Sequence, residues 1–207
     1  ELLKKSSRWD DFLNSDFSNL AVICSALKKE AEKCVFSQIQ EEALNKALQE
    51  LDKNPAILKN NNQQDLFSVR SSSPEEDLEG ASFAGGYETL LGIRKSNIKN
   101  AVKTVFASCL DERVFLYKRE HGFNPFAPDI AVIIQNQIPS ESAGVLFTLN
   151  PLNNCYDETV INANFGLGES VVGGQVTPDQ YIIDTAQMRI LDKKAGKKEA
   201  SVALSPE

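Results

Sequence analysis

A polar, glycine-containing segment from Ser68 to Gly92 lies between two short apolar runs and constrains the fold more than any other feature of the chain. It carries one arginine, Arg70, and a planar guanidinium matches the oxygens of a phosphate. Its glycines at positions 80, 85 and 86 let backbone N–H groups approach an anion closely. The segment indicates either a polyphosphate-binding loop or a solvated surface loop, because it lacks the fixed spacing of a general phosphate motif.

Apolar residues recur at helical spacing in the first part of the chain and predict three helical stretches. The first runs from Leu20 to about Val35. The second runs from Ser37 to Asp52, with Ser37 as its N-cap and Gln40 three residues later. The third runs from Ser96 to Gly122, with a break near Asp111 and a glycine as its natural end.

The second part of the chain is rich in β-branched runs and predicts strands. Two strands flank the polar segment, inside which Ser73-Pro74 predicts the start of a short helix. The nearly continuous apolar run Ile130–Ile138 predicts a strand that is buried on both faces. The predicted strands besides that run are Leu66–Val69, Tyr87–Ile93, Ala143–Leu149, Thr159–Phe165 and the hairpin pair Tyr181–Asp184 and Met188–Leu191.

Helices precede strands in the chain, so the predicted fold class is α+β. Residues 1–65 are predicted as a helical lead-in segment and residues 66–207 as an α+β core. Residues 56–64 are polar and predict a loop. Because the chain begins with Glu1 rather than Met, we expect it to be an excised piece of a larger protein.

Composition excludes several classes of function. A net charge of -7 and a pI near 4.9 argue against a nucleic-acid binder, which would present a basic face. The four cysteines form no C-x-x-C pair, so we expect free thiols in a reducing cytoplasm and no zinc site. No apolar run is long enough to span a bilayer. We therefore predict neither a membrane nor a nucleic-acid partner, and composition assigns no residue of the chain as a metal ligand.

Candidate ligand-binding side chains also occur outside the polar segment. Gln135 and Gln137 alternate onto one face of a predicted strand, and either amide could bind an adenine edge or be satisfied by nearby backbone. A second glycine-rich loop spans residues 162–179, where Glu169 could bind magnesium or pair with a cation. His121 stands at a predicted helix end, where a structural role is favoured.

Four motifs together resemble one protein family. They read V-R-S-S-S-P-E-E-D-L-E-G-A-S-F-A-G-G-Y-E-T, I-A-V-I-I-Q-N-Q-I, A-G-V-L-F-T-L-N-P and G-L-G-E-S-V-V-G-G-Q-V-T-P-D. In this order and spacing they resemble the nucleotide-binding domain shared by phosphoenolpyruvate synthase, pyruvate phosphate dikinase and rifampicin phosphotransferase. The resemblance covers residues from about 66 to 185.

The resemblance implies an ATP-grasp-like domain that binds ATP and Mg²⁺. It implies that Arg70 is the phosphate-binding and catalytic arginine, and that Gly85, Thr89 and Gln135 also contact the nucleotide. In such proteins ATP phosphorylates a carrier histidine on another domain of the same protein, which then passes the phosphoryl group to pyruvate. The resemblance also fits an antibiotic phosphotransferase of the rifampicin type or a nucleotide-binding module without catalysis.

The chain departs from the family pattern at several positions. Gly86 stands where the family has Gln, Ser73-Pro74 replaces Ala-Thr, and Gln137 replaces Met. The family's early lysine segment and its T-S-H carrier motif are not visible in the sequence, and His121 does not lie in such a motif.

Overall fold

The computed structural model describes residues 7–14, 18–53, 66–74, 77–78, 81–82, 85–126 and 130–204. The chain divides into two compact units, Glu1–Gln137 and Ile138–Glu207. Helices dominate the first unit and antiparallel strands the second, which confirms the α+β class. The predicted division between residues 1–65 and 66–207 follows composition rather than packing, and it stays a prediction.

Among the described residues, the first unit combines five α-helices with a three-stranded antiparallel sheet in the order β4 (Thr89–Arg94), β1 (Leu66–Ser72), β5 (Ala131–Asn136). A separate two-stranded pair, β2 and β3, follows β1. Among the described residues its elements are α1 (Ser7–Leu13), α2 (Leu20–Lys33), α3 (Gln38–Lys53), β1 (Leu66–Ser72), β2 (Asp77–Leu78), β3 (Ala81–Ser82), β4 (Thr89–Arg94), α4 (Ile98–Ala107), α5 (Glu112–Glu120) and β5 (Ala131–Asn136).

Local capping signals set the helix ends, as the sequence predicts. The Gln40 N–H donates to Ser37 Oγ at 3.3 Å and the Ser37 N–H donates to Gln40 Oε1 at 2.9 Å, which together form a capping box at the start of α3. Asp111, in an extended conformation, separates α4 and its terminal 3-10 turn from α5. Gly122, at φ +75°, ends α5, and the Phe123 N–H reaches back to the Lys118 carbonyl at 2.8 Å.

Two apolar clusters hold the first unit together. One joins α1 and α2 to α5 and the turn before it, through Trp9, Phe12, Leu20, Cys24, Leu27, Leu110 and Phe115. The other places one face of β1 against α3 and α4, through Leu48, Phe67, Val69, Ile98, Ala101, Val102 and Val105. The opposite face of the β4-β1-β5 sheet, which we call the open face, carries exposed side chains at Arg70, Thr89, Ile133 and Gln135.

The second unit is a four-stranded antiparallel sheet in the order β6-β7-β8-β9. Its elements are β6 (Ser142–Phe147), β7 (Glu158–Phe165), the short helix α6 (Glu169–Val172), β8 (Asp179–Asp184) and β9 (Arg189–Lys194). The predicted hairpin of the last two strands is confirmed, with its turn at residues 185–188.

Residues 195–202 return across the glycine-rich loop that follows β7. The Leu167 N–H donates to the Val202 carbonyl at 2.7 Å. Lys198 Nζ lies 2.7 and 2.8 Å from the two carboxylate oxygens of Asp179, and the Gly196 N–H donates to the same carboxylate at 2.8 Å. These hydrogen bonds lower the pKa of Asp179 below its ordinary value, with Lys198 as the larger cause.

One predicted element is wrong. The helix expected to begin at Ser73-Pro74 is absent from the described part of that segment, because Asp77 and Leu78 pair with Ser82 and Ala81 as two short strands. Only two residues, one of them a glycine, separate those strands in the sequence, and that length favours a tight hairpin over a helix. The predicted loop at residues 56–64 lies outside the described residues.

The strand predicted at Ile130–Ile138 exists as β5, but it is not buried on both faces. Its exposed and half-buried residues alternate, and Ile133 is 47% exposed. The reason is that β5 is the edge strand of a sheet with one packed face and one open face. All four cysteines carry free thiols, as predicted. Within the described ranges, no helix is both long and apolar enough to cross a membrane.

The capping box at the start of α3 gives a stability prediction. Ser37→Ala removes the acceptor for the Gln40 N–H, so we expect the free energy of unfolding to fall by about 1 kcal/mol. Urea denaturation at neutral pH measures this change. Ser25→Ala, an exposed position inside α2, is the matched control and should leave stability unchanged or raise it slightly. Equal losses in the two variants would contradict the capping role.

The Asp179 carboxylate gives a pH prediction for the second unit. Because its pKa is depressed in the folded state, its stabilising effect is present above the unfolded-state pKa of about 3.9 and is lost as the pH falls through the folded-state pKa. Urea denaturation should show wild type more stable than Asp179→Asn at pH 7, with the gap closing below about pH 4. Asp192→Asn, exposed on β9, is the charge-matched control. A gap that widens on acidification would refute the assignment.

Candidate functional site

The pairing of β1 with both of its neighbours places three of the predicted ligand-binding residues on one face of the sheet. Arg70 on β1 pairs directly with Thr89 on β4 and with Ile133 on β5. Ser68, two residues before Arg70, pairs directly with Gln135. Directly opposed residues share a face, and so do residues two apart on one strand. Arg70, Thr89 and Gln135 therefore share the open face with Ser68 and Ile133.

The two faces of the sheet differ in the exposure of their side chains. Phe67 and Val69 on β1 are 1% and 0% exposed and belong to the core. Arg70, Thr89 and Gln135 are all exposed. Among the described residues the guanidinium of Arg70 forms no ion pair or hydrogen bond, so its fork of donors is available to an anion.

The spacing of the strands sets the size of this surface. Adjacent strands lie about 4.8 Å apart, and Gln135 pairs with Ser68, two residues along β1 from the Arg70–Thr89 pair, so Thr89 and Gln135 are separated diagonally by about 12 Å. An extended ligand that lies across the strands can meet all three side chains. A hydroxyl, a guanidinium and an amide in that order fit a molecule with phosphates at one end and a hydrogen-bonding ring at the other.

Gly85 lies in the turn that leads into β4, four residues before Thr89. Its φ of +74° is in the left-handed region, and a Cβ added there would meet no atom within 4 Å. Conformation rather than crowding therefore explains the glycine. Tyr87, two residues after Gly85, is 6% exposed and packs with Val114 of α5.

The structure distinguishes the two candidate glutamines. Gln137 Oε1 accepts the Gly92 N–H at 3.3 Å, which ties the end of β5 to β4. The amide of Gln135 forms no hydrogen bond within the described part of the chain, and its side chain is exposed. Gln135 is thus the glutamine that can meet a ligand, although the expectation that it is buried is wrong.

Two residues of the open face escape sequence reasoning. Ile133 is an exposed apolar residue directly across from Arg70, where a flat ring could pack. Ser68 is only 2% exposed and its hydroxyl has no hydrogen-bond partner. Residues two apart on a strand share a face, so the positions of Arg70 and Gln135 could have predicted that Ser68 and Ile133 lie beside them.

The second glycine-rich loop is shaped by its own packing. A Cβ on Gly166 would lie 2.1 Å from the Val202 carbonyl oxygen, so that glycine permits close backbone approach. Asn164 donates to Ser170 Oγ at 3.0 Å and to the Ala200 carbonyl at 2.9 Å. Glu169 is exposed at the start of α6. This loop belongs to the second unit, and its predicted contact with ligand stays a prediction.

The remaining chemically active side chains in the described ranges have structural surroundings. His121 stacks on Tyr117 with ring centroids 4.0 Å apart, and its Nδ1 lies 2.9 Å from the Tyr117 carbonyl. Burial raises the pKa of Cys24 and of Cys109 to about 11, so both are protonated thiols near neutral pH. In the same ranges no three His, Cys, Asp or Glu residues cluster as metal ligands would.

Residues 4–207 match the family described as pyruvate phosphate dikinase, AMP/ATP-binding domain. The chain is 43% identical over 133 residues to a probable phosphoenolpyruvate synthase of Methanocaldococcus jannaschii, across 64% of this chain and 11% of that protein. It is 41% identical over 141 residues to a phosphoenolpyruvate synthase of Pyrococcus furiosus, across 68% of this chain and 17% of that protein. It is 44% identical over 133 residues to an uncharacterized phosphotransferase of Bacillus subtilis, across 64% of this chain and 16% of that protein. The matched part of the chain thus spans less than a fifth of each relative.

The turn at Gly85 gives a paired prediction with Gly122. Both glycines have φ near +75° with no atom near an added Cβ, so alanine costs about 1–2 kcal/mol of local strain at either position. We expect Gly85→Ala to weaken ATP binding about threefold to tenfold, because the turn beside Thr89 shifts away from its native shape. Gly122→Ala should lower the melting temperature and leave ATP affinity unchanged, since Gly122 ends α5.

Nucleotide titration and thermal unfolding of both variants measure these effects. Gly85→Asn should bind ATP better than Gly85→Ala, because asparagine tolerates the left-handed conformation. Equal ATP affinity in wild type and Gly85→Ala would remove Gly85 from the site.

Proposed function

The chain belongs to the pyruvate phosphate dikinase AMP/ATP-binding domain family, and from that premise we propose that its open β4-β1-β5 face binds ATP for a dikinase-type phosphoryl transfer. The observation that carries the proposal is the common face of Arg70, Thr89 and Gln135. ATP lies across the strands, with its phosphates at Arg70 and the Gly85 turn and its adenine toward Gln135.

Each side chain has a distinct role in this proposal. Arg70 pairs with phosphate oxygens through its planar fork and stabilises the charge that develops during transfer, which makes it the catalytic residue. The Thr89 hydroxyl and the Gly85 backbone N–H donate to phosphate oxygens. The Gln135 amide can donate to and accept from the edge of the base. Ile133 supplies an apolar surface between these two ends.

The reaction of the whole protein is part of the proposal. Two of the relatives are named as phosphoenolpyruvate synthases, and the chain matches only a small share of their length. We assign the chain to the step in which ATP phosphorylates a carrier histidine on another domain, from which the group passes to pyruvate. One relative is named only as a phosphotransferase, without an acceptor. Transfer to an antibiotic or to another acceptor is therefore an alternative to transfer to pyruvate. A nucleotide-binding role without catalysis is the other alternative.

Magnesium enters the proposal as the usual companion of ATP phosphates. Bound Mg²⁺ would neutralise part of the charge of the phosphates. The described residues form no cluster of three acidic, histidine or cysteine side chains, so no side chain of this chain is assigned to the ion. An ATP-grasp-like arrangement and a cytoplasmic location, which four free thiols support, complete the proposal.

Removal of the Arg70 guanidinium tests the site directly. Hydrogen bonds to charged groups contribute about 1.5–3 kcal/mol, so Arg70→Ala should weaken ATP binding about tenfold to a hundredfold. Arg70→Lys keeps the charge but loses the fork, and it should fall between wild type and Arg70→Ala. An NMR titration of the chain with Mg-ATP measures all three affinities.

Arg189→Ala is the charge-matched control. Its side chain is 63% exposed on β9 in the other compact unit, so it should bind ATP as wild type does. Wild-type affinity in Arg70→Ala, or an equal loss in both alanine variants, would contradict the proposed phosphate site.

A further inference from the structure

Ser68 lies on the same face of β1 as Arg70, but its hydroxyl is buried. Ser68 is 2% exposed, and its Oγ has no hydrogen-bond partner. A buried hydroxyl without a partner is unfavourable, and such groups in native proteins call for an explanation. The neighbouring Arg70, two residues along the strand, is exposed and has no partner in the described ranges either. The Ser68 hydroxyl, which lacks a hydrogen-bond partner, thus lies two residues from the proposed phosphate-binding residue.

Gln135 lies directly across from Ser68 on the neighbouring strand. Their Cα atoms are register partners in the β1–β5 ladder, so the two side chains share a face with Cβ atoms about 4.5–5.5 Å apart. The Gln135 amide has no hydrogen bond to any described residue. At that separation the Gln135 side chain is long enough to reach the Ser68 hydroxyl, and a hydrogen bond between the two groups would satisfy both.

On the β4 side the amide near Ser68 is that of Gln137, which is already engaged there. The β1–β4 register shifts between Phe67 and Val69, so no β4 residue pairs directly with Ser68. Gly92, in the irregular part of β4, has φ +66° and carries no side chain. Its N–H is already bonded to the Gln137 amide oxygen at 3.3 Å. Gln135 is therefore the residue whose side-chain amide is in register with the Ser68 hydroxyl.

We propose that Ser68 is a positioning residue for base recognition, which acts by holding the Gln135 amide when a nucleotide binds. The inference rests on the proposed function, because it gives Gln135 the base end of ATP. An unrestrained glutamine loses rotamer freedom when it binds a ligand, and that loss weakens the contact. A hydrogen bond from the amide to Ser68 restrains the side chain and leaves the other amide hydrogen and the lone pairs of Oε1 for the base.

The role predicts an effect that depends on the base. Ser68→Ala should weaken binding of Mg-ATP about threefold to tenfold, as expected for the loss of one neutral hydrogen bond. The same variant should bind inorganic tripolyphosphate as wild type does, because that ligand carries phosphates and no base. In a Gln135→Ala background, Ser68→Ala should have no further effect on ATP affinity. Ser68→Thr keeps the hydroxyl and should bind ATP within about twofold of wild type.

Ser108→Ala is the matched control for a buried serine. Ser108 is 0% exposed and its hydroxyl donates to the Val105 carbonyl at 2.7 Å, so its removal should lower the melting temperature without changing either affinity. Ser68→Ala removes a hydroxyl that has no partner in the free chain, so its melting temperature should equal or exceed that of wild type. The variant that tests the proposal is thus expected to fold.

NMR titrations of the chain with Mg-ATP and with tripolyphosphate separate the outcomes. Weaker ATP binding with unchanged tripolyphosphate binding, abolished by Gln135→Ala, supports the role of Ser68. Unchanged ATP affinity, an equal loss for both ligands, or a loss that persists in the Gln135→Ala background overturns that role alone. A wild-type chain that binds neither ligand overturns the proposed function and this inference with it.

Discussion

The alternation of side chains along β1 is the constraint on which the rest of the first unit depends. Phe67 and Val69 are almost fully buried against α3 and α4, and burial of such side chains contributes about 1.5–3 kcal/mol each. Ser68 and Arg70, which alternate with them along the strand, lie on the other face. A register slip of one residue would move both apolar side chains into solvent. The core therefore fixes the position of Arg70, and with it the geometry of the proposed phosphate site.

The helices and their ends could be predicted from sequence because their signals are local. The Ser37 and Gln40 capping box, the break at Asp111 and the glycine end at position 122 all act within a few residues of the chain. The common face of Arg70, Thr89 and Gln135 could not be read in this way. It depends on which strands flank β1 and in what register, and those pairings join residues that are far apart in the sequence.

The failures have equally specific causes. The Ser73-Pro74 pattern favours a helix start, but the nearby pairing of β2 with β3 competes with it. The apolar run around Ile133 suggests full burial, although every second side chain of β5 is exposed. Gln135 and Gln137 have the same strand parity, and the hydrogen bond from the Gly92 N–H to Gln137 separates their roles. The burial of Ser68 likewise depends on its non-local neighbours.

The segment at residues 195–202 determines how far the second unit extends along the chain. Its carbonyl groups at Ala200 and Val202 accept hydrogen bonds from the Asn164 amide and the Leu167 N–H. A chain cut after β9 would leave these donors without those acceptors, and Asn164 and Leu167 are both buried. Any shortened form meant to fold as this unit has to keep the residues through 202, eight positions beyond the last residue of its last strand.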